Sequence, residues 1–209
     1  MLKKEYELLI PFIKEPWRKF TFKDIKKAAN KTSESYVYNT LRNFVKQEIL
    51  KEEKAGNVTL YSAFLSKNKS RIYFGFVLEY ASWKKIHIPF KEIEKITEKM
   101  PTDFYCLLLA GSYAKNKQKE SSDIDMAIIV GDEIETKKVY AELSHSCDMS
   151  IPKIHLYVFR KTEFMQMLLN KEANYGKEIS INNIILNGGK EYFQIIGEAI
   201  ENGFTGKFA

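Results

Sequence analysis

Phe104-Tyr105-Cys106-Leu107-Leu108-Leu109-Ala110-Gly111-Ser112 and Ser122-Asp123-Ile124-Asp125-Met126-Ala127-Ile128-Ile129-Val130 decide how this chain of 209 residues is read. The first stretch is a short apolar run of buried-strand type that stops at a Gly-Ser turn. Residues 113–122 are polar and lysine-rich, and a second apolar run follows the two aspartates. A strand that delivers a Gly-Ser turn to the start of a helix offers free backbone N–H groups to phosphate. Glycine lets the backbone approach the anion closely, and the Ser112 hydroxyl adds a donor. Aspartates at i and i+2 on a strand point to one face, close enough to share hard divalent cations. A phosphate cradle beside paired carboxylates is what metal-assisted nucleotidyl or phosphoryl transfer requires. Taken singly, each piece is an ordinary turn or a polar strand end. In this order they form one constellation.

That order resembles the signature of the DNA polymerase beta-type nucleotidyltransferase superfamily, and most of all its small, minimal branch. Gly111-Ser112-Tyr113-Ala114-Lys115 and Ser121-Ser122-Asp123-Ile124-Asp125 are similar to that branch's GSxARG and SDIDL segments. Residues 159–169 and 184–189 are similar to strand and helix pieces found C-terminal to such a core. The resemblance implies that Gly111 and Ser112 bind the nucleotide phosphates and that Asp123 and Asp125 hold Mg²⁺ or Mn²⁺. The substrate it implies is an NTP, with ATP first, whose NMP moves to a hydroxyl of a protein, a small molecule or an RNA end. Some small family members are antitoxins that nucleotidylate a partner toxin. The sequence departs from the family at three places. The strand expected to carry a third carboxylate, residues 153–158, offers His155, either a base or ligand or a half-buried strand histidine. Asp148 substitutes only if the register shifts. Lys115 and Asn116 stand where arginine and glycine are usual.

Outward from this core, residues 71–83 read as a helix apolar nearly all round, with Ile72, Phe76, Tyr80 and Trp83 on one face. Such a helix has to be buried, between domains or against a second subunit. Pro89 to Met100 reads as a second helix, with Phe90, Ile93, Ile96 and Thr97 inward. In the N-terminal third, Tyr6, Leu9, Ile10 and Ile13 mark a helix ending near Pro16. Thr21 opens a short second helix, and Ser33 caps a third. Two strand-type runs, 49–53 and 58–64, flank a turn at residues 54–57. Three helices and a hairpin resemble a winged helix-turn-helix domain, whose third helix enters the major groove of DNA. Ser35, Asn39, Arg42 and Lys46 face away from the apolar side of that helix. Asn39 and Arg42 are types that read base edges, and Lys46 suits a phosphate.

The charge is lopsided. Residues 1–66 carry 13 basic and 8 acidic side chains, while the rest carry 20 and 19. Such an excess fits a module facing a polyanion or a solvated lysine-rich surface. Cys106 and Cys147 are too few for a disulfide framework and are expected to be reduced and buried. His87, His145 and His155 never fall at zinc-ligand spacing with cysteine. No apolar stretch approaches the ~20 residues of a membrane span, and acidic residues occupy the place of a signal peptide's apolar core. No membrane partner and a cytoplasmic location are expected.

The reading that results is α/β (α+β): a winged helix over residues 1–67, then a nucleotidyltransferase fold over 68–209 with a small mixed sheet flanked by helices. Residues 68–100 serve as a helical connector or interface, and a homodimer is compatible. The rival reading is a winged-helix transcriptional regulator on double-stranded DNA. Its nucleotidyltransferase domain has lost turnover and only binds nucleotide or mediates dimerisation.

Overall fold

Capping chemistry starts the N-terminal helices where the residue types predict. In the computed structural model, which describes residues 4–207, a 3-10 turn over Lys4–Leu9 runs into α1 (Ile10–Lys14). After the short β1 (Phe20–Thr21) comes α2 (Phe22–Ala28). The Thr21 hydroxyl accepts from the Asp24 amide at 3.2 Å, and Asp24 Oδ2 accepts from the Thr21 amide at 2.9 Å. This reciprocal box satisfies two N–H groups that a helix start leaves open. Ser33 caps α3 (Glu34–Lys46) by accepting from the Tyr36 amide at 3.3 Å. α3 buries Val37, Leu41 and Phe44 and leaves Ser35, Asn39, Arg42 and Lys46 exposed.

β2 (Leu50–Ala55) and β3 (Val58–Ala63) pair antiparallel from Leu50↔Ala63 to Ala55↔Val58, and β1 joins β3 to give the order β1-β3-β2. The turn is tighter than the 54–57 stretch read from sequence. Gly56 at φ +60 reverses the chain within Gly56-Asn57, so both strands run right up to it. α4 (Asn68–Ser82) is only partly covered by the rest of the chain. Phe74 and Val77 are fully buried, but Ile72 and Phe76 are 48% and 54% exposed. Only one helical face meets a core here, so the apolar residues on the other remain at the surface.

Residues 4–77 with 190–207 form one compact unit, and residues 78–189 form another. In the first, the Phe74 and Phe193 rings meet edge-on at 5.4 Å, and Ser70 donates to the Ile49 carbonyl at 2.8 Å.

The second unit is built on β4 (Tyr105–Leu109), β5 (Ile124–Val130), β6 (Ile154–Arg160) and β7 (Ile184–Asn187), in the order β6-β5-β4-β7. β4 lies antiparallel to β5 and β7, whereas β5 and β6 are parallel, so the sheet is mixed. Helices α5 (Phe90–Thr97), α6 (Gly111–Ala114), α7 (Thr136–Asp148), α8 (Lys161–Leu169) and α9 (Tyr175–Ile181) surround it, and α10 (Gly189–Glu201) follows. Ile124, Met126, Ile128 and Val130 join Ile93, Ile96, Leu143 and Ile154 in one core. The period of two therefore turns the odd-numbered positions of β5 to the opposite face. No helix among the described residues is long and apolar enough to cross a membrane.

Both cysteines are free and buried, as composition predicts. Cys147 shares the inner face of α7 with Val139 and Leu143, and burial, then the Asp148 charge, pushes its thiol up to about 11. The unfolded chain's thiol ionises near its ordinary 9.0. Between those values the folded state binds more protons, so this thiol's contribution is intact below pH 9 and is lost as pH rises towards 11. We expect the stability difference between wild type and Cys147→Ala, followed by urea unfolding, to shrink by about 1.4 kcal/mol per pH unit across that window.

Candidate active site

Ala110, at the end of β4, donates its amide to the Asp125 carbonyl at 2.8 Å, which pins the turn beside the second aspartate. Gly111 then takes φ +60 and starts the one-turn α6. A Cβ at Gly111 would lie 1.9 Å from Asp125 Oδ2, so any larger residue there would push that carboxylate aside. Asn116 ends the segment at φ +53. That left-handed conformation is the one a glycine there supplies, and asparagine tolerates it.

Asp125 sits in β5 and Asp123 one residue before it, both on the face away from the isoleucine core. Strand pairing sets Asp125 directly opposite His155 of β6. The imidazole lies between the carboxylates: Nε2 is 3.3 Å from Asp123 Oδ2, and Nδ1 is 3.7 Å from Asp125 Oδ1. Asp148 stands apart from this ladder and pairs with Lys153 at 3.2 Å. The register is therefore unshifted, and it brings His155, not Asp148, to the carboxylates.

Burial raises the Asp125 carboxyl above the usual carboxylate range; His155 opposes the rise, while Glu178 and Asp123 add to it. Glu178 is a participant with no local sequence signal, since α9 delivers it from a distant part of the chain. Its carboxylate pairs with Lys115 at 3.0 Å, with both side chains about half exposed. Exposed pairs of this kind contribute about 0–1 kcal/mol. Tyr175, one turn earlier on α9, packs against Tyr157 with ring centroids 4.4 Å apart and the planes tilted by 44°. Burial, then the Asp125 charge, holds the Tyr175 hydroxyl far above the tyrosine range. Tyr113, at the heart of α6, is buried and is raised by burial and then by Asp123.

Among the described residues, no group of three or more His, Cys, Asp and Glu side chains is placed to hold a metal ion. The two aspartates nonetheless fit one, because Mg²⁺ is commonly held by one or two carboxylates with phosphate oxygens and water completing its shell. Burial raises Asp125 most, and the charges of Glu178 and Asp123 add to it; a divalent cation would relieve that added negative charge. Beyond His155 lies a cleft of about 190 Å³, walled by Tyr140, Ser144, Asp148, Lys153 and Tyr157. The four α3 residues singled out for DNA lie in the other unit and form a separate set.

Residues 91–190 match the family model for Polymerase beta, Nucleotidyltransferase. That stretch is similar to nucleotidyltransferase domains. It contains every member of the site just described, from Gly111 to Glu178. A solved structure titled "Crystal structure of the toxin-antitoxin with AMP-PNP" is similar over 55% of this chain and 86% of its own. Its identity is 17% and its TM-score 0.39. No curated protein matches the chain. The matched stretch assembles its Gly-Ser turn, its aspartate pair and His155 at one end of β4, β5 and β6.

Proposed function

We propose that the chain transfers an NMP from an NTP to a hydroxyl acceptor, with Asp123 and Asp125 holding a divalent cation. The observation that carries this reading is the fit of Gly111 against Asp125, which couples the phosphate turn to the carboxylates. Gly111 and Ser112 grip the triphosphate through their amides and the Ser112 hydroxyl. His155 touches both aspartates and orders them, which makes it a positioning residue. The acceptor oxygen attacks the α-phosphorus in line and forms the new O–P bond. The bond to the β-phosphate oxygen breaks, pyrophosphate leaves, and the hydroxyl proton passes to water. A bound divalent cation supplies charge stabilisation to the entering and leaving oxygens. ATP with Mg²⁺ or Mn²⁺ is the first pair to test, and the cleft beside His155 gives an acceptor room to approach.

The test is a transfer assay with each of four α-labelled NTPs, and with host lysate and total RNA as acceptors. Label moving to an acceptor in wild type and absent in Asp123→Ala/Asp125→Ala supports the proposal. If wild type neither transfers label nor binds a non-hydrolysable NTP with Mg²⁺ in calorimetry, the proposal fails.

A DNA-binding role for the N-terminal unit is the second part of the proposal. Three helices, the β1-β3-β2 sheet and the exposed row on α3 support a winged-helix reading, with Ser35, Asn39 and Arg42 towards base edges and Lys46 towards phosphate. If the transferase site proves silent, this leaves a double-stranded DNA regulator whose second domain binds nucleotide or mediates dimerisation. We expect Arg42→Ala/Lys46→Ala to weaken duplex binding and to flatten the slope of log K against log salt by about 1–2. Fluorescence anisotropy at several salt concentrations measures this. An unchanged slope would remove α3 from the interface.

A further inference from the structure

We propose that the outer edge of β6 is a docking site where an extended segment of a partner protein joins the sheet as an added strand. This goes beyond the transferase reading and needs neither cation nor nucleotide. β6 ends the order β6-β5-β4-β7, so no strand pairs with its outer side among the described residues. The Ile124 amide donates to the Lys153 carbonyl at 2.8 Å, and Ile124 lies opposite Ile154. In a parallel ladder that pattern turns the backbone groups of Lys153, His155, Tyr157 and Phe159 towards β5. The amides and carbonyls of Ile154, Leu156 and Val158 therefore point away from the sheet. The open stretch is bounded at both ends. Pro152 has no amide to offer, and the Arg160 amide donates to Glu163 at 2.8 Å.

The edge is also walled on one side. α7 packs on β6, and Tyr140, Ser144 and Asp148, spaced four residues apart, share one stripe of that helix. The stripe and residues 153–157 of β6 line the cleft of about 190 Å³. These features select the occupant. Alternating donors and acceptors at strand spacing are complementary in partial charge to another extended backbone. β6 of a second copy presents the same groups, but antiparallel pairing about a two-fold axis puts both α7 helices on one face of the joined sheet. The second helix then competes for the space of the cleft. A segment with no helix packed on it enters without that conflict. Asp148 and Lys153 pair at 3.2 Å and leave that end of the cleft without net charge. Backbone pairing, with apolar contact to the half-exposed Tyr140, holds the segment.

The experiment is residue-resolved amide hydrogen exchange by NMR on the full chain, alone and with a synthetic heptapeptide of alternating threonine and valine. A second heptapeptide carries N-methyl groups on two amides of one pairing edge. In the chain alone, Leu156 and Val158 are expected to exchange fast and Tyr157 slowly, because only Tyr157 is bonded to β5. With the plain peptide at about ten times its Kd, exchange at Leu156 and Val158 slows about tenfold, while Tyr157 is unchanged. The methylated peptide binds about tenfold more weakly or worse, since two hydrogen bonds are lost. Leu156→Pro removes an outward amide and leaves the bonds to β5 intact. Ser144→Arg fills the cleft from α7 without touching β6. Each variant is expected to lose the protection of Val158 by peptide and to keep slow exchange at Tyr157, which shows that the sheet is formed. Slow exchange of Leu156 and Val158 in the dilute chain alone means that the edge is already covered and overturns the proposal. Protection that grows with protein concentration in the absence of peptide assigns the edge to a second copy and also overturns it. So does equal binding of the two peptides, protection that survives Ser144→Arg, or no protection by the plain peptide at millimolar concentration.

Discussion

Asp125→Asn is expected to lower nucleotidyl transfer by on the order of 10³-fold while raising the thermal midpoint in the presence of EDTA. The activity loss follows from removing one of the two carboxylates proposed to hold the cation, whose stabilisation of transition-state charge amounts to several kcal/mol. The stability gain follows from the opposite face of the same chemistry. The side chain is 27% exposed, and the charges of Asp123 and Glu178 press on it. A carboxyl raised above its unfolded value is, in its ionised form, less welcome in the fold than in the unfolded chain. At neutral pH the neutral, isosteric amide removes that cost. A rise of about 2–4 °C corresponds to 1 kcal/mol in a chain of this size. Scanning calorimetry beside the labelled-NTP assay reads both. A midpoint that falls would show that Asp125 is a structural anchor and not a functional charge kept at a cost.

Gly111→Ala is the second large effect, expected to reduce transfer about 100-fold and to cost about 1–2 kcal/mol of stability. The stability term is the left-handed backbone, which a Cβ makes unfavourable by that amount. The clash adds little to it, because Asp125 Oδ2 is the end of a side chain and can rotate away. That rotation is what damages function: displacement of a reacting or ligating group by about 1 Å costs on the order of 100-fold. Gly56→Ala is the matched control. Gly56 has the same φ of +60, with nothing within 4 Å of where its Cβ would lie. It should lose comparable stability and keep full transfer activity. Equal activity losses in the two variants would mean that backbone strain, and not the carboxylate, sets the requirement at Gly111.

The comparison of these glycines shows how far the sequence could be read. That Gly111 ends a strand and opens a turn was legible from the apolar run before it. So was the alternation that sends Asp123 and Asp125 to one face while Ile124 and Met126 enter the core. The caps at Thr21 and Ser33 were legible for the same reason: a cap is satisfied within three residues. α4 marks the limit. Its composition calls for cover on all sides, and within the chain Ile72 and Phe76 stay at the surface, because hydrophobicity does not say whether that cover comes from the same chain. His155 lies in between. Its strand could be recognised, but only the β5/β6 register sets it against Asp125 and leaves Asp148 with Lys153.

By itself, then, the sequence determined the local elements, the mixed α/β character and the Gly-Ser and Asp-Ile-Asp core of the stretch that matches the nucleotidyltransferase model. Those depend on periodicity, capping and turn conformation, which act over a few neighbouring residues. Only the tertiary structure decided that Glu178 pairs with Lys115, that Tyr175 packs against Tyr157, and that residues 190–207 belong with the N-terminal unit. Such pairings join residues far apart in the chain. They are set by which surfaces the packed core leaves facing one another, and no pattern of neighbours along the chain encodes that choice.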